Sequence, residues 1–143
     1  MKRFVAAFLL AVISMTSMTS VESSAISVVD KKIIVVNDIG STGTDSSLTY
    51  SNGVLRCNSI FSCKSNPAQT IQAVQTLEYK RVGGSYTNVN VWRKTVNAQE
   101  MDMYNTKSNA GKGTYRLKTE FAVKYKDGRS EKITVYSTEI TVR

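Results

Sequence analysis

Two pairs of side chains carry spacings that could do chemistry: Cys57 with Cys63, and Glu100 with Asp102. In an oxidising compartment two cysteines read first as a disulfide, worth about 2.4 kcal/mol for so short a loop. Extended backbone would hold their Cα atoms about 20 Å apart, whereas a disulfide needs about 5.5–6 Å. A strand and a Cys57–Cys63 bridge therefore exclude one another. Leu55, Cys57, Ser59, Phe61 and Cys63 alternate like one face of a strand, which favours two buried thiols, while Asn58-Ser59 favours a turn and the bridge. A nucleophilic thiol needs activation, and no histidine is present to supply it.

If Gln99 to Met103 is a strand, Glu100 and Asp102 share a face about 7 Å apart, a spacing that suits a glycosidase pair. Two exposed acids flanking Met101 and Met103 are also the ordinary pattern of an edge strand, and that is the reading taken here. The absence of histidine removes Ser-His-Asp and Cys-His catalysis and histidine zinc sites, and two cysteines cannot close a four-thiolate site. We expect no enzyme, no cofactor and no metal.

The remaining chemistry is charge. The 143 residues hold 19 basic and 11 acidic side chains, a net +8. Residues 26–79 sum to zero, with four of each sign, whereas residues 80–143 hold thirteen basic and six acidic residues, a net +7.

The elements that must position these charges are strands. Asn52-Gly53, Gly83-Gly84 and Asp127-Gly128 are hairpin signals, because their residues tolerate positive φ. Residues 115–126 alternate cleanly: Tyr115, Leu117, Thr119, Phe121, Val123 and Tyr125 on one face, Arg116, Lys118, Glu120, Ala122, Lys124 and Lys126 on the other. Ile33 to Val36 is a short early strand, and Val89 to Val96 and Ile133 to Val142 are rich in β-branched residues. Asn66-Pro67 fits a helix start, but Thr70, Val74 and Thr76 favour a strand running to the Gly-Gly turn. Ser41 to Ser51 reads as a surface loop. The total, about seven short strands with repeated turns, predicts an antiparallel immunoglobulin-like β-sandwich, with a small closed β-barrel as runner-up.

Residues 1–25 read as a secretory signal: Lys2 and Arg3, the apolar run Phe4 to Ile13, then a cleavage site at Ser23-Ser24-Ala25. The apolar run is too short to span a bilayer of about 30 Å. A single domain over residues 26–143 follows, secreted and without a transmembrane segment.

Gly113-Thr114-Tyr115-Arg116, Phe121, Tyr125, Asp127-Gly128 and Tyr136-Ser137 resemble the last hairpin of fibronectin type III and related immunoglobulin-like domains. The wider pattern, with Leu77 to Tyr79 and Val91-Trp92 preceding that hairpin, resembles small secreted proteins of unknown function from Gram-positive bacteria. The resemblance implies the fold and no catalytic residues.

A two-residue turn at Asp127-Gly128 would set Lys126 opposite Arg129, Lys124 opposite Glu131 and Arg116 opposite Glu139. Lys118, Lys126, Arg129 and Lys132 would remain unpaired near one end. The same register turns Ile133 and Val135 outward, a conflict that a bulge or a covering element would have to absorb. Lys118, Lys126 and Arg129 are the candidate anion-binding residues, with Trp92, Tyr86, Tyr104 and Tyr115 as stacking candidates. The partners expected are extracellular polyanions: wall teichoic acids, acidic polysaccharides, extracellular DNA without sequence recognition, or anionic headgroups. Adhesion to cell-envelope polymers is the main functional expectation. A secreted effector or antimicrobial protein acting on anionic membranes is the alternative.

Overall fold

A computed structural model describes residues 32–36, 41–63 and 65–143. The signal reading of residues 1–25 lies outside them. The described chain forms β1 (Lys32–Val36), β2 (Ser41–Ser51), β3 (Val54–Cys63), β4 (Ala68–Lys80), β5 (Thr87–Val96), β6 (Glu100–Lys107), β7 (Gly113–Tyr125), β8 (Ser130–Tyr136) and β9 (Ile140–Val142). One antiparallel sheet runs β1-β8-β7-β4-β5, with β9 continuing beside β7; the other runs β2-β3-β6. The two pack face to face as an all-β sandwich. The sheets end in separate edge strands, so the barrel alternative is not formed.

Glu100–Lys107 is an edge strand of the smaller sheet, as the alternation of Glu100 and Asp102 with Met101 and Met103 predicts. The segment read as Ile133 to Val142 is broken, because Ser137 takes over the pairing with Leu117. Its backbone N–H donates to the Leu117 carbonyl at 2.8 Å, and its hydroxyl oxygen accepts the Leu117 N–H at 2.9 Å.

Ser41 to Ser51 corrects the loop expectation: it is an eleven-residue strand. Asn52 and Gly53 both have positive φ, 51° and 76°, which closes a two-residue turn and folds β2 along β3. The sequence hid this strand because one of its inward positions is a serine. Ser46 points into the sandwich and bonds the Ser59 and Thr119 hydroxyls at 3.3 and 3.2 Å. Ser59 and Thr119 lie 2.7 Å apart, and the Gln75 side-chain amide donates to Ser59 at 2.8 Å. Asn105 donates in turn to the Gln75 carbonyl oxygen at 2.8 Å.

This polar belt divides the core. On one side lie Phe61, Ile71, Met101, Met103, Phe121, Val123, Ile133 and Val135 among others. On the other lie Leu48, Leu55, Cys57, Leu77, Leu117 and Ile140. Each fully buried aliphatic or aromatic side chain stabilises by about 1.5–3 kcal/mol. The belt tolerates burial because its members satisfy one another.

The β7–β8 hairpin departs from the expected register by one residue. Lys124 pairs with Ser130 and Val123 with Glu131. The loop holds three residues, Lys126, Asp127 and Gly128: Gly128 N–H donates to the Tyr125 carbonyl at 3.0 Å, and Tyr125 N–H donates to the Arg129 carbonyl at 2.9 Å. Gly128 takes φ 87°, giving a type I turn followed by a left-handed bulge residue. Asp127 fixes the loop by accepting from Arg129 N–H at 3.0 Å and from the Asn66 amide at 2.9 Å. A one-residue shift exchanges the faces of a strand. Ile133 and Val135 therefore point inward and are buried, and the conflict in the sequence disappears. The cost falls on the expected cross-strand ion pairs, Lys124 with Glu131 and Arg116 with Glu139, neither of which forms. Glu131 instead turns inward and accepts the Tyr125 hydroxyl proton in a hydrogen bond.

Candidate anion-binding surface

Strand parity sets which charges face solvent. The inward set on β7 leaves Arg116, Lys118, Glu120, Ala122 and Lys124 on the outward face of the larger sheet, beside Glu78 and Lys80 of β4 and Lys132, Thr134 and Tyr136 of β8.

The middle of this face is neutralised. Arg116 meets Glu78 at 2.6 Å, Lys118 meets Glu120 at 3.0 Å and Lys80 meets Glu139 at 3.2 Å. The Tyr86 ring lies between two cations, with the Arg116 guanidinium 3.7 Å and the Lys80 ammonium 4.6 Å from its centroid, and Arg116 also lies 4.7 Å from the Tyr136 centroid. Such contacts strengthen as they desolvate. Burial works against the Glu139 charge, but the adjacent Tyr86 hydroxyl and the Lys80 and Arg116 cations outweigh it and hold the carboxyl below its ordinary value. Burial pushes the Tyr86 phenol up.

The three residues expected to bind anions are not brought together. Lys118 sits in mid-strand opposite Thr76 and Tyr136, roughly 25 Å along the strand from the loop. Neither it nor Arg129 is unpaired: Arg129 meets Asp127 at 2.7 Å. That guanidinium, with the Arg129 backbone N–H, holds the Asp127 carboxyl below its ordinary value. Only Lys126, exposed on the loop, remains as expected.

The observed register supplies other cations. Lys124 loses its expected partner when Glu131 turns inward, and Lys132 turns outward. Both are exposed and flank Ala122 in a trough of about 350 Å³ lined also by Thr70, Gln72, Val123, Ser130 and Glu131. Lys124, Lys126 and Lys132 thus gather at the hairpin end, with no ion pair to any of them among the described residues. Sequence reasoning missed Lys124 because it fixed the turn at two residues. The signal that could have found it was the outward Ile133 and Val135 that such a turn required.

The other candidate groups are placed as follows. Cys57 and Cys63 lie on the inward face of β3, free and buried, so the strand reading holds and the possible disulfide is not formed. Burial pushes the Cys57 thiol up to about 12, and the Cys63 thiol donates to the Gln99 side-chain oxygen at 3.2 Å. Glu100 and Asp102 are exposed on edge strand β6, beside Ile60 and Ser62 and around buried Met101 and Met103. Among the described residues no group of three or more histidine, cysteine, aspartate or glutamate side chains could hold a metal ion. No described helix is long and apolar enough to cross a membrane. Of the stacking candidates, Tyr115 is buried and bonds the Gly111 carbonyl at 2.9 Å. Trp92 is packed against both parts of the core, and Tyr104 is exposed.

Comparison with protein-family models, curated proteins and solved structures found no match.

Proposed function

We propose that this protein is exported by its N-terminal signal and acts without catalysis, adhering to anionic polymers of the Gram-positive cell envelope. The observation that carries the reading is the cationic trough at the β7–β8 hairpin. Lys124, Lys126 and Lys132 project from one rigid hairpin; of the acids beside them, Asp127 pairs with Arg129, and Glu131, which lines the trough, is buried and accepts from the Tyr125 hydroxyl. Polar Thr70, Gln72 and Ser130 line the floor and supply hydrogen-bonding groups for a hydrated polymer. Attraction of this kind reaches about a Debye length, ~8 Å at physiological salt, and steers encounter more than it fixes one ligand.

Co-sedimentation of the mature chain with purified cell walls tests it. Bound protein falls steeply between low salt and about 0.5 M salt, and the Lys124→Ala/Lys126→Ala/Lys132→Ala variant binds several-fold less at low salt. Absence of binding at low salt would overturn the reading. So would equal binding by the variant.

A further inference from the structure

A second set of cations stands at the opposite end of the sandwich. Lys80 pairs with Thr114, and Gly113 pairs with Val142. Arg81, Lys112 and Arg143 therefore each lie one residue beyond the ends of three neighbouring strands, β4, β7 and β9. Adjacent strands lie about 4.8 Å apart, so the three backbone positions fall within roughly 10 Å. Their side chains line one groove of about 620 Å³ with Tyr79, Val82, Thr141 and Val142. No described carboxylate forms an ion pair with any of the three.

The groove is built. Tyr79 donates its hydroxyl proton to the Lys112 carbonyl at 3.0 Å, pinning the segment that carries Lys112 to the end of β4. Tyr79 also packs its ring on Tyr115, with centroids 5.0 Å apart. Gly113 has φ 145°, and a Cβ at that position would overlap the Tyr79 ring, so the missing side chain is what allows the ring to seat. Val82 is 99% exposed at the rim, an apolar contact with no partner in the fold.

We propose that this groove binds a phosphate group carried on a polyol or sugar. Two guanidinium forks can each grip two phosphate oxygens, and the lysine adds a third charge. The volume exceeds what a bare phosphate fills and lies in the range of small-molecule sites. Val82, Val142 and the Tyr79 ring supply apolar surface for a carbon skeleton, and the Thr141 hydroxyl stands beside it. The site is separate from the hairpin trough, and it specifies one chemical unit where the trough attracts charge in general.

Calorimetric titration of the mature chain tests it, with glycerol 3-phosphate and with a short poly(glycerol phosphate) as the two probes. At least one of them binds, and Arg81→Ala/Arg143→Ala weakens that binding about tenfold or more, a change of ~1.4 kcal/mol or more. Arg81→Lys/Arg143→Lys, which keeps charge but loses both forks, falls between the two. The hairpin variant Lys124→Ala/Lys126→Ala/Lys132→Ala binds like the parent. Binding of the free compound alone makes a soluble sugar phosphate the ligand, and binding of the polymer alone makes it a polymer unit. Binding of neither overturns the proposal, as does loss-free binding by the Arg81→Ala/Arg143→Ala variant, equal affinity for acetate, or tighter binding of an oligonucleotide. Wall sedimentation that survives those results leaves the adhesion reading standing. Phosphate binding by a chain that ignores walls retains the groove and removes adhesion.

Discussion

The Gln75 side-chain amide lies 2.8 Å from the Ser59 hydroxyl, tying β4 of one sheet to β3 of the other inside the sandwich. Both residues are almost fully buried. The contact is part of a belt that also draws in Ser46, Thr119 and Asn105, so its members depend on each other.

Removing one member should therefore cost more than its own hydrogen bonds. Ser59→Ala leaves Gln75 and Thr119 short of partners, and a loss of about 1–3 kcal/mol is expected. Urea unfolding reports this as a lower midpoint at unchanged slope. Stability within ~0.3 kcal/mol of the parent would show that the belt is dispensable.

Loop length, rather than loop composition, should control the β7–β8 register. Deleting Lys126 shortens the three-residue loop to two and turns Ile133 and Val135 toward water, a loss of several kcal/mol on burial alone. Asp127→Ala, which removes the Arg129 and Asn66 contacts but keeps the length, costs far less, because those contacts are exposed or only partly buried. Thermal melts of the two variants separate length from composition. Equal losses would contradict the register argument.

The carboxyls of Asp127 and Glu139 both titrate below their ordinary values in the folded chain. The unfolded chain then takes up protons first as pH falls. Their contribution is present above the unfolded pKa of about 4 and is lost as pH drops through the lower folded values. Stability should decline below about pH 4, and Glu139→Gln should flatten that decline. A Glu139→Gln profile parallel to the parent's between pH 5 and pH 2 would remove Glu139 from the account.

Cys57 works in the opposite direction. Its thiol is raised to about 12 in the folded chain, against about 8.5 when exposed. The unfolded state loses its proton first as pH rises, so this stabilisation is present below about pH 8.5 and is lost progressively above it. Cys57→Ala should flatten the alkaline limb, although it also lowers overall stability through the cavity it leaves. A thiol reagent should find Cys57 only after denaturation, when both cysteines titrate.

Much of this fold is legible in the chain. The alternation at Tyr115 to Tyr125 and Leu55 to Cys63 marks core strands because their inward residues are mostly apolar, and the structure buries them as expected. Ser41 to Ser51 is illegible for the converse reason. Ser46 earns its inward place through partners on β3 and β7 that no local pattern reveals. The hairpin-end cations were misassigned by one residue of register. The groove cations were not identifiable at all, since Arg81, Lys112 and Arg143 converge only once β4, β7 and β9 are neighbours.

The ion pairs leave the middle of the larger sheet's outer face neutral, and cations with no ion pair among the described residues stand at both ends of β7. That strand has thirteen residues, about 40 Å of extended chain. If the hairpin trough and the groove both bind as proposed, a single copy would be divalent: it would hold two polymer strands a rod length apart without forming a dimer, each contact raising the local concentration for the other. Mixed with a long polyanion at matched charge, such a molecule is a cross-linker, and it would turn a solution of separate chains into a mesh.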